Sequence, residues 1–231
     1  MRTTKMRIAL ILLVMATSRL FAQSAQKDTT FIVNETIDGE RHAIFIDNNQ
    51  KSEYYAAISN FNFQQFDDES YKRSTDYLSE NKLSLTKAKP VVPWRDWVTL
   101  KQYDSKFYAY YPCDFLFHFR QSINDSTFID WTGEGPEANK IIHQRKIDKN
   151  TYEMKLSGIS YADRKITIHI IDPKKGIAVF EQTSTGTDKK YYLMISAPDI
   201  TSVPIIVNVC PTQKQMELKF EDPDFEKLLE K

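Results

Sequence analysis

From residue 106 onward the chain is cut into short runs rich in β-branched and aromatic residues. They fall at 106–111, 115–121, 127–131, 140–146, 152–157, 165–171, 177–183, 190–195 and 205–209. The breaks between them are turn-forming: Ser122-Ile123-Asn124-Asp125, Gly133-Glu134-Gly135-Pro136, Asp148-Lys149-Asn150, Asp172-Pro173-Lys174-Lys175-Gly176 and Ser184-Thr185-Gly186. Short strands with regular punctuation and no helical period between them predict an antiparallel meander. Alternation picks the buried face. Phe115, Phe117 and Phe119 oppose Leu116, His118 and Arg120; Tyr152, Met154 and Leu156 oppose Glu153 and Lys155; Ile166, Ile168 and Ile170 oppose Thr167 and His169. Successive side chains of a strand point to opposite faces, so one inner surface collects the aromatic and aliphatic groups.

Upstream the pattern changes. Residues 30–37 and 41–46 flank Asp38-Gly39, a pair suited to a tight hairpin turn. Residues 68–81 read as a short, lightly amphipathic helix with Asp68 as cap and Tyr71 and Leu78 on one side. Residues 54–66 fit strand and helix equally. Pro93 to Trp97 suits one helical turn that sets Trp94 and Trp97 on the same side. At the other end, Asp222 and Pro223 open a short helix reaching Leu229. The expected organisation is a leader over 1–22, an N-terminal hairpin-and-helix region over 23–89 that packs on the barrel, and a meander domain over 90–231.

A flat sheet of nine strands would expose two long edges; closing it into a barrel removes them, and a two-layer sandwich shortens them. The predicted fold is therefore mainly β, an antiparallel up-and-down meander closed into a barrel, with a β-sandwich as the alternative. In layout it resembles the small secreted lipocalin-like barrels, including a short Trp-bearing turn ahead of the first strand. The Gly-x-Trp of those barrels is absent: Lys106-Phe107-Tyr108 stands at the expected first strand.

The first residues change the picture of where the chain works. Met1 to Arg7 carries three cations and no acid, Ile8 to Thr17 is apolar, and Ala22 follows as a small residue at a cleavage position. This is the pattern of a cleaved secretory signal, and its apolar run is too short to span a bilayer. It predicts an exported protein, periplasmic or extracellular. The whole chain is neutral, with 31 cations and 31 anions; removing 1–22 takes away Arg2, Lys5, Arg7 and Arg19 and leaves a mildly acidic remainder. Neither balance suits a nucleic-acid partner. No stretch is long and apolar enough for a membrane-spanning helix. Cys113 and Cys210 are the only cysteines. Export and even count favour a disulfide between them, joining the first and last strands of a closed barrel; two separate buried thiols are the alternative.

Candidate chemistry is sparse. His42, His118, His143 and His169 form no metal-ligand spacing, and His118, His143 and His169 would need convergence in space to make a site. No nucleophile elbow is present. Asp67-Asp68 reads as a helix start and Glu134 with Glu137 as a solvated turn. No catalytic residue, cofactor or metal is therefore assigned. The residues expected to line a barrel cavity are Phe115, Phe117, Phe119, Trp131, Met154, Phe180 and Tyr191, and the same stripe can instead fill the interior as packed core. The expected function is a binding module for a small apolar ligand. The alternatives are an envelope or secreted interaction protein with a solid core, meeting a glycan or protein through exposed tyrosines, and, less favoured, a hydrolase with a site assembled from distant residues.

Overall fold

The computed structural model describes residues 28–37, 39–61, 65–159, 163–184, 188–210 and 216–230. The expected leader and its cleavage point lie outside this set, as do Asp38 of the hairpin turn and Thr185-Gly186 of one strand break. In chain order the elements are β1 (Thr29–Ile37), β2 (Glu40–Asp47), α1 (Glu53–Ile58), α2 (Gln65–Glu80), β3 (Asp96–Thr99), β4 (Lys101–Tyr103), β5 (Lys106–Tyr111), β6 (Arg120–Ile123), β7 (Thr127–Thr132), β8 (Gly135–Lys146), β9 (Thr151–Ser157), β10 (Arg164–Asp172), β11 (Ile177–Ser184), β12 (Lys190–Ser196), β13 (Ile205–Val209) and α3 (Phe225–Leu229).

Eight strands close a barrel in the order β10-β11-β12-β3-β6-β7-β8-β9, all neighbours antiparallel. Closure is made by β12 on β3, with Met194 opposite Thr99 and Ser196 opposite Trp97. The barrel therefore starts one strand earlier than the hydrophobic pattern suggests. The segment expected as a helical turn at Pro93 to Trp97 enters β3 at Asp96, because Trp97, Val98 and Thr99 fill the only place between β6 and β12. Trp94 and Trp97 still touch, with ring centroids 5.6 Å apart.

Two expected barrel strands leave the meander. β5 and β13 pair in parallel, Ile205 with Ala109 and Val207 with Tyr111. They join the N-terminal hairpin in a second sheet of order β1-β2-β13-β5-β4. One face of this sheet packs on the outer wall of the barrel: Ala109, Ile205 and Val207 meet Val98, Val179, Leu193 and Ile195, with Tyr55 and Ile58 of α1 alongside. The Tyr55 hydroxyl donates to the Val203 carbonyl at 2.6 Å, and burial pushes its pKa up to about 12. The opposite face, carrying Ile44, Tyr108, Tyr110 and Ile206, is covered by Leu218 and Phe220 of the chain's last stretch.

Cys113 and Cys210 are bonded, with Cα atoms 5.6 Å apart. They lie just past the ends of β5 and β13, so the bridge clamps the ends of two parallel strands in the second sheet; it does not close the barrel. A disulfide of this kind is at home in an oxidising compartment. Residues 115–121 also depart from the pattern. Asp114 caps a 3₁₀ turn over Phe115–Phe117 by accepting from the Leu116 N–H at 3.0 Å, and the strand begins only at Arg120. The first three apolar residues of that run were indistinguishable by alternation from a strand; the cap decides it. α2 starts before Asp68, so Asp68 lies within the helix and does not cap it. Leu78 of α2 is fully buried. α3 is capped by Asp224, whose side chain accepts from the Lys227 N–H, in place of Asp222.

Candidate functional site: the open end of the barrel

The barrel interior divides into two halves. Lateral partners in a sheet share a face, so the inward residues follow from the register. Trp97, Ile123, Phe128, Met154, Ile168, Phe180 and Met194 form a close-packed apolar filling with no appreciable exposure. Trp97 sits edge-on to Phe180 at 5.0 Å. The strap ahead of β3 seals this end. Val91, Val92 and Trp94 pack against the filling, and the Gln144 carboxamide accepts from the Val91 N–H at 3.1 Å while donating to the Lys89 carbonyl at 3.2 Å.

Towards the other end the same inward face turns polar. Gln121, Asp130 and Glu137 lie in one lateral row with Trp97, Asn139 stands opposite Phe128, and Arg164 opposite Leu156 and Ser184. Asp130 is the hub. One carboxylate oxygen accepts from Gln121 Nε2 at 3.1 Å; the other accepts from Asn139 Nδ2 at 3.0 Å and pairs with the Arg164 guanidinium. A second guanidinium nitrogen of Arg164 donates to Gln182 Oε1 at 3.3 Å, and its plane lies over the Phe128 ring at 5.6 Å. These groups are out of water: Gln121 is 0% exposed, Asp130 1%, Asn139 2% and Arg164 5%. A charge survives such burial only when paired and hydrogen-bonded, and this one is. Gln121 is not fully satisfied. Asp130 fixes its amide orientation, and its Oε1 is enclosed and meets no donor among the described residues.

Above this floor stand partly exposed walls: Phe119, Thr132, Glu137, Gln182, Ser184 and Tyr192. Phe119 and Tyr192 are neighbours, 5.7 Å between centroids and tilted by 30°. The Tyr192 phenol is held above its ordinary pKa, first by burial and then by the charge of Asp130. The result is a cup with an aromatic wall and a floor of carboxamides around a neutralised ion pair.

The seven residues expected to line a cavity do not converge. Met154 and Phe180 are in the packed apolar half, and Phe119 is in the wall of the cup. Trp131 faces outward: it lies in one lateral row with Arg120 and Val98, its Nε1 donates to Ser122 Oγ at 2.9 Å, and it meets Phe61. Tyr191 stacks on Phe225 of α3 outside the barrel. Phe115 is on the 3₁₀ turn and 42% exposed. The Phe117 side chain lies outside the described residues.

The histidines also stay apart. His118 is buried and its Nε2 donates to the Ile58 carbonyl at 2.8 Å, tying α1 down; burial lowers its pKa to about 4. His143 is exposed on β8, and His169 lies 3.9 Å from Glu181. Among the described residues no group of three or more His, Cys, Asp or Glu is placed to hold a metal ion.

The floor residues carry a signal that apolar alternation passed over. Asp130 shares its phase with Phe128, Asn139 with Ile141, and Arg164 with Ile166, Ile168 and Ile170. A polar residue on the apolar phase, recurring at the same end of successive strands, marks a polar interior. Comparison of the chain with protein-family models, with curated proteins and with solved structures returns no match.

Proposed function

We propose that this chain is an exported binding module whose ligand enters at the polar, open end of the barrel. The observation that carries the reading is the asymmetry of the interior. One end is covered by the Val91–Trp94 strap and filled with apolar side chains, while the other ends in partly exposed walls over Asp130 and Arg164. Barrels of eight strands hold either their own side chains or one small ligand; here the apolar half is occupied by the protein, so the ligand is met at the polar half. The cationic and apolar start of the chain and the Cys113–Cys210 bridge support export, to the periplasm or the extracellular space.

The test is a thermal-shift screen of small polar and apolar compounds on the wild type and on Gln182→Trp, which plugs the cup. Compounds that stabilise the wild type are expected to lose their effect on the plugged variant. Equal stabilisation of both proteins, or no compound that depends on the cup, overturns the proposal.

A second reading rests on a different observation. A chain of edge-to-face rings runs along the barrel-side face of the second sheet and past α1 to its margins: Phe31–Phe45 at 5.7 Å, Phe45–Tyr54 at 6.2 Å, Tyr54–Tyr111 at 5.0 Å and Tyr111–Phe115 at 5.1 Å. Both end members, Phe31 and Phe115, are exposed. Such a ridge suits an interaction protein with a solid core. Under that reading Phe31→Ser and Phe115→Ser abolish partner capture while Gln182→Trp leaves it intact.

A further inference from the structure

We infer that the cup takes an uncharged, hydroxyl-rich ligand, a neutral glycan, with the Phe119–Tyr192 pair as stacking wall and the Gln121 carboxamide oxygen as a waiting acceptor. This inference deepens the open-end reading and rests on it.

Three independent features select the class. The first is charge. The floor sets Asp130 against Arg164, so its formal charge is zero, and the buried pair is already neutralised by direct contact. An anion would have to compete with Asp130 for Arg164, and a cation with Arg164 for Asp130; either competition leaves a buried charge unpaired. A neutral ligand disturbs neither.

The second is hydrogen-bond inventory. Gln121 is wholly buried and its Nε2 is committed to Asp130, which leaves the Oε1 lone pairs as an enclosed acceptor without a donor among the described residues. A buried acceptor left unmet costs about 1–3 kcal/mol, so a ligand that brings an O–H to it recovers that free energy. A hydroxyl does this; an alkyl chain does not. The walls add the Gln182 amide and the Tyr192 phenol, groups that both donate and accept, as a polyol requires.

The third is the wall itself. Phe119 and Tyr192 lie 5.7 Å apart and only 30° from parallel, in contrast to the edge-on pairs of the ridge. Two partly exposed rings, 30° from parallel, offer apolar surface with a hydroxyl at its margin, suited to the C–H face of a pyranose. An apolar ligand would gain the wall and leave the floor's carboxamides desolvated.

The experiment uses the full exported chain, ¹⁵N-labelled, titrated separately with xylohexaose, cellohexaose, laminarihexaose, chitohexaose, a polygalacturonate oligomer and a fluorescent fatty acid. The expected result is saturable binding of at least one of the neutral oligosaccharides, with shifts gathered at residues 119–121, 130–137 and 190–192. Phe119→Ala and Tyr192→Ala are expected to weaken it about tenfold each, and Tyr192→Phe, which keeps the ring, much less. Unchanged amide spectra away from the cup show that these variants are folded. Binding of the fatty acid or of polygalacturonate at the cup, with no neutral oligosaccharide bound, overturns the ligand class and leaves the open-end reading standing. Shifts confined to other surfaces, or no shift at the cup with any probe, overturn both.

Discussion

Asp130 and Arg164 are a costly pair of side chains to disturb. Each is nearly devoid of solvent contact and each neutralises the other. Arg164→Met leaves a carboxylate enclosed among Gln121 and Asn139 with no cation, and should lower stability by about 3–5 kcal/mol in urea unfolding. The double variant Arg164→Met with Asp130→Leu should recover much of that loss; no recovery would mean that the pair does not act as a unit. His118 gives a second prediction at this scale. Burial holds its imidazole at about 4, with Arg120 and Lys101 adding to the depression. The unfolded chain therefore takes up this proton first. Stability is complete above about pH 6.5 and falls as pH drops towards 4, by about 3 kcal/mol at the limit. His169, also lowered chiefly by burial, acts in the same direction. His118→Gln should flatten the acid limb measured by urea midpoints between pH 4 and 7; an unaltered limb would place the titration elsewhere.

Among the elements, the strands of the barrel were legible and their roles only partly so. Strands β7 to β12 match runs that alternation marks, because their apolar phase is long and their turns carry Asp, Asn, Gly and Pro. β3 was hidden because Pro93-Trp94 ahead of it imitates a helix start; what makes it a strand is the vacancy between β6 and β12, a tertiary cause. β5 and β13 read as strands of the barrel, since nothing local tells a strand which sheet it joins. The cup is not legible in the sequence for a related reason. Gln121, Asp130, Asn139 and Arg164 are single polar residues on apolar phases of four strands, and only closure of the barrel brings them together. Of the residues expected to line a cavity, Phe119 reaches the cup, whereas Trp131 and Tyr191 follow the opposite phase of their strands to the outside. The Cys113–Cys210 bridge belongs to this scale too. It ties β5 to β13 across 97 positions, so replacing both cysteines with serine should lower stability by about 4–5 kcal/mol in the chain-entropy limit. The barrel strands should keep their amide-exchange protection at moderate denaturant while β5 and β13 lose theirs. Simultaneous loss in both sheets would show that the bridge supports the barrel directly.

Taken whole, the molecule is a barrel braced on one flank by a disulfide-clamped sheet and finished differently at its two ends. The brace buries Val98, Val179, Leu193 and Ile195 on the outer wall and so fixes β3, β11 and β12. The strap fixes the sealed end through Gln144. At the other end partly exposed walls stand over a buried polar floor, and the binding proposal depends on that difference. It can be measured without knowing the ligand, by adding a neutral gadolinium chelate to the ¹⁵N,¹³C-labelled protein and reading paramagnetic relaxation at side chains of the two ends. Strong relaxation of the Gln182 amide protons and the Phe119 and Tyr192 ring protons is expected, with the Trp97 indole and Met194 methyl group protected. Protection of Gln182, Phe119 and Tyr192 equal to that of Trp97 would contradict an accessible polar mouth, and the proposed function with it.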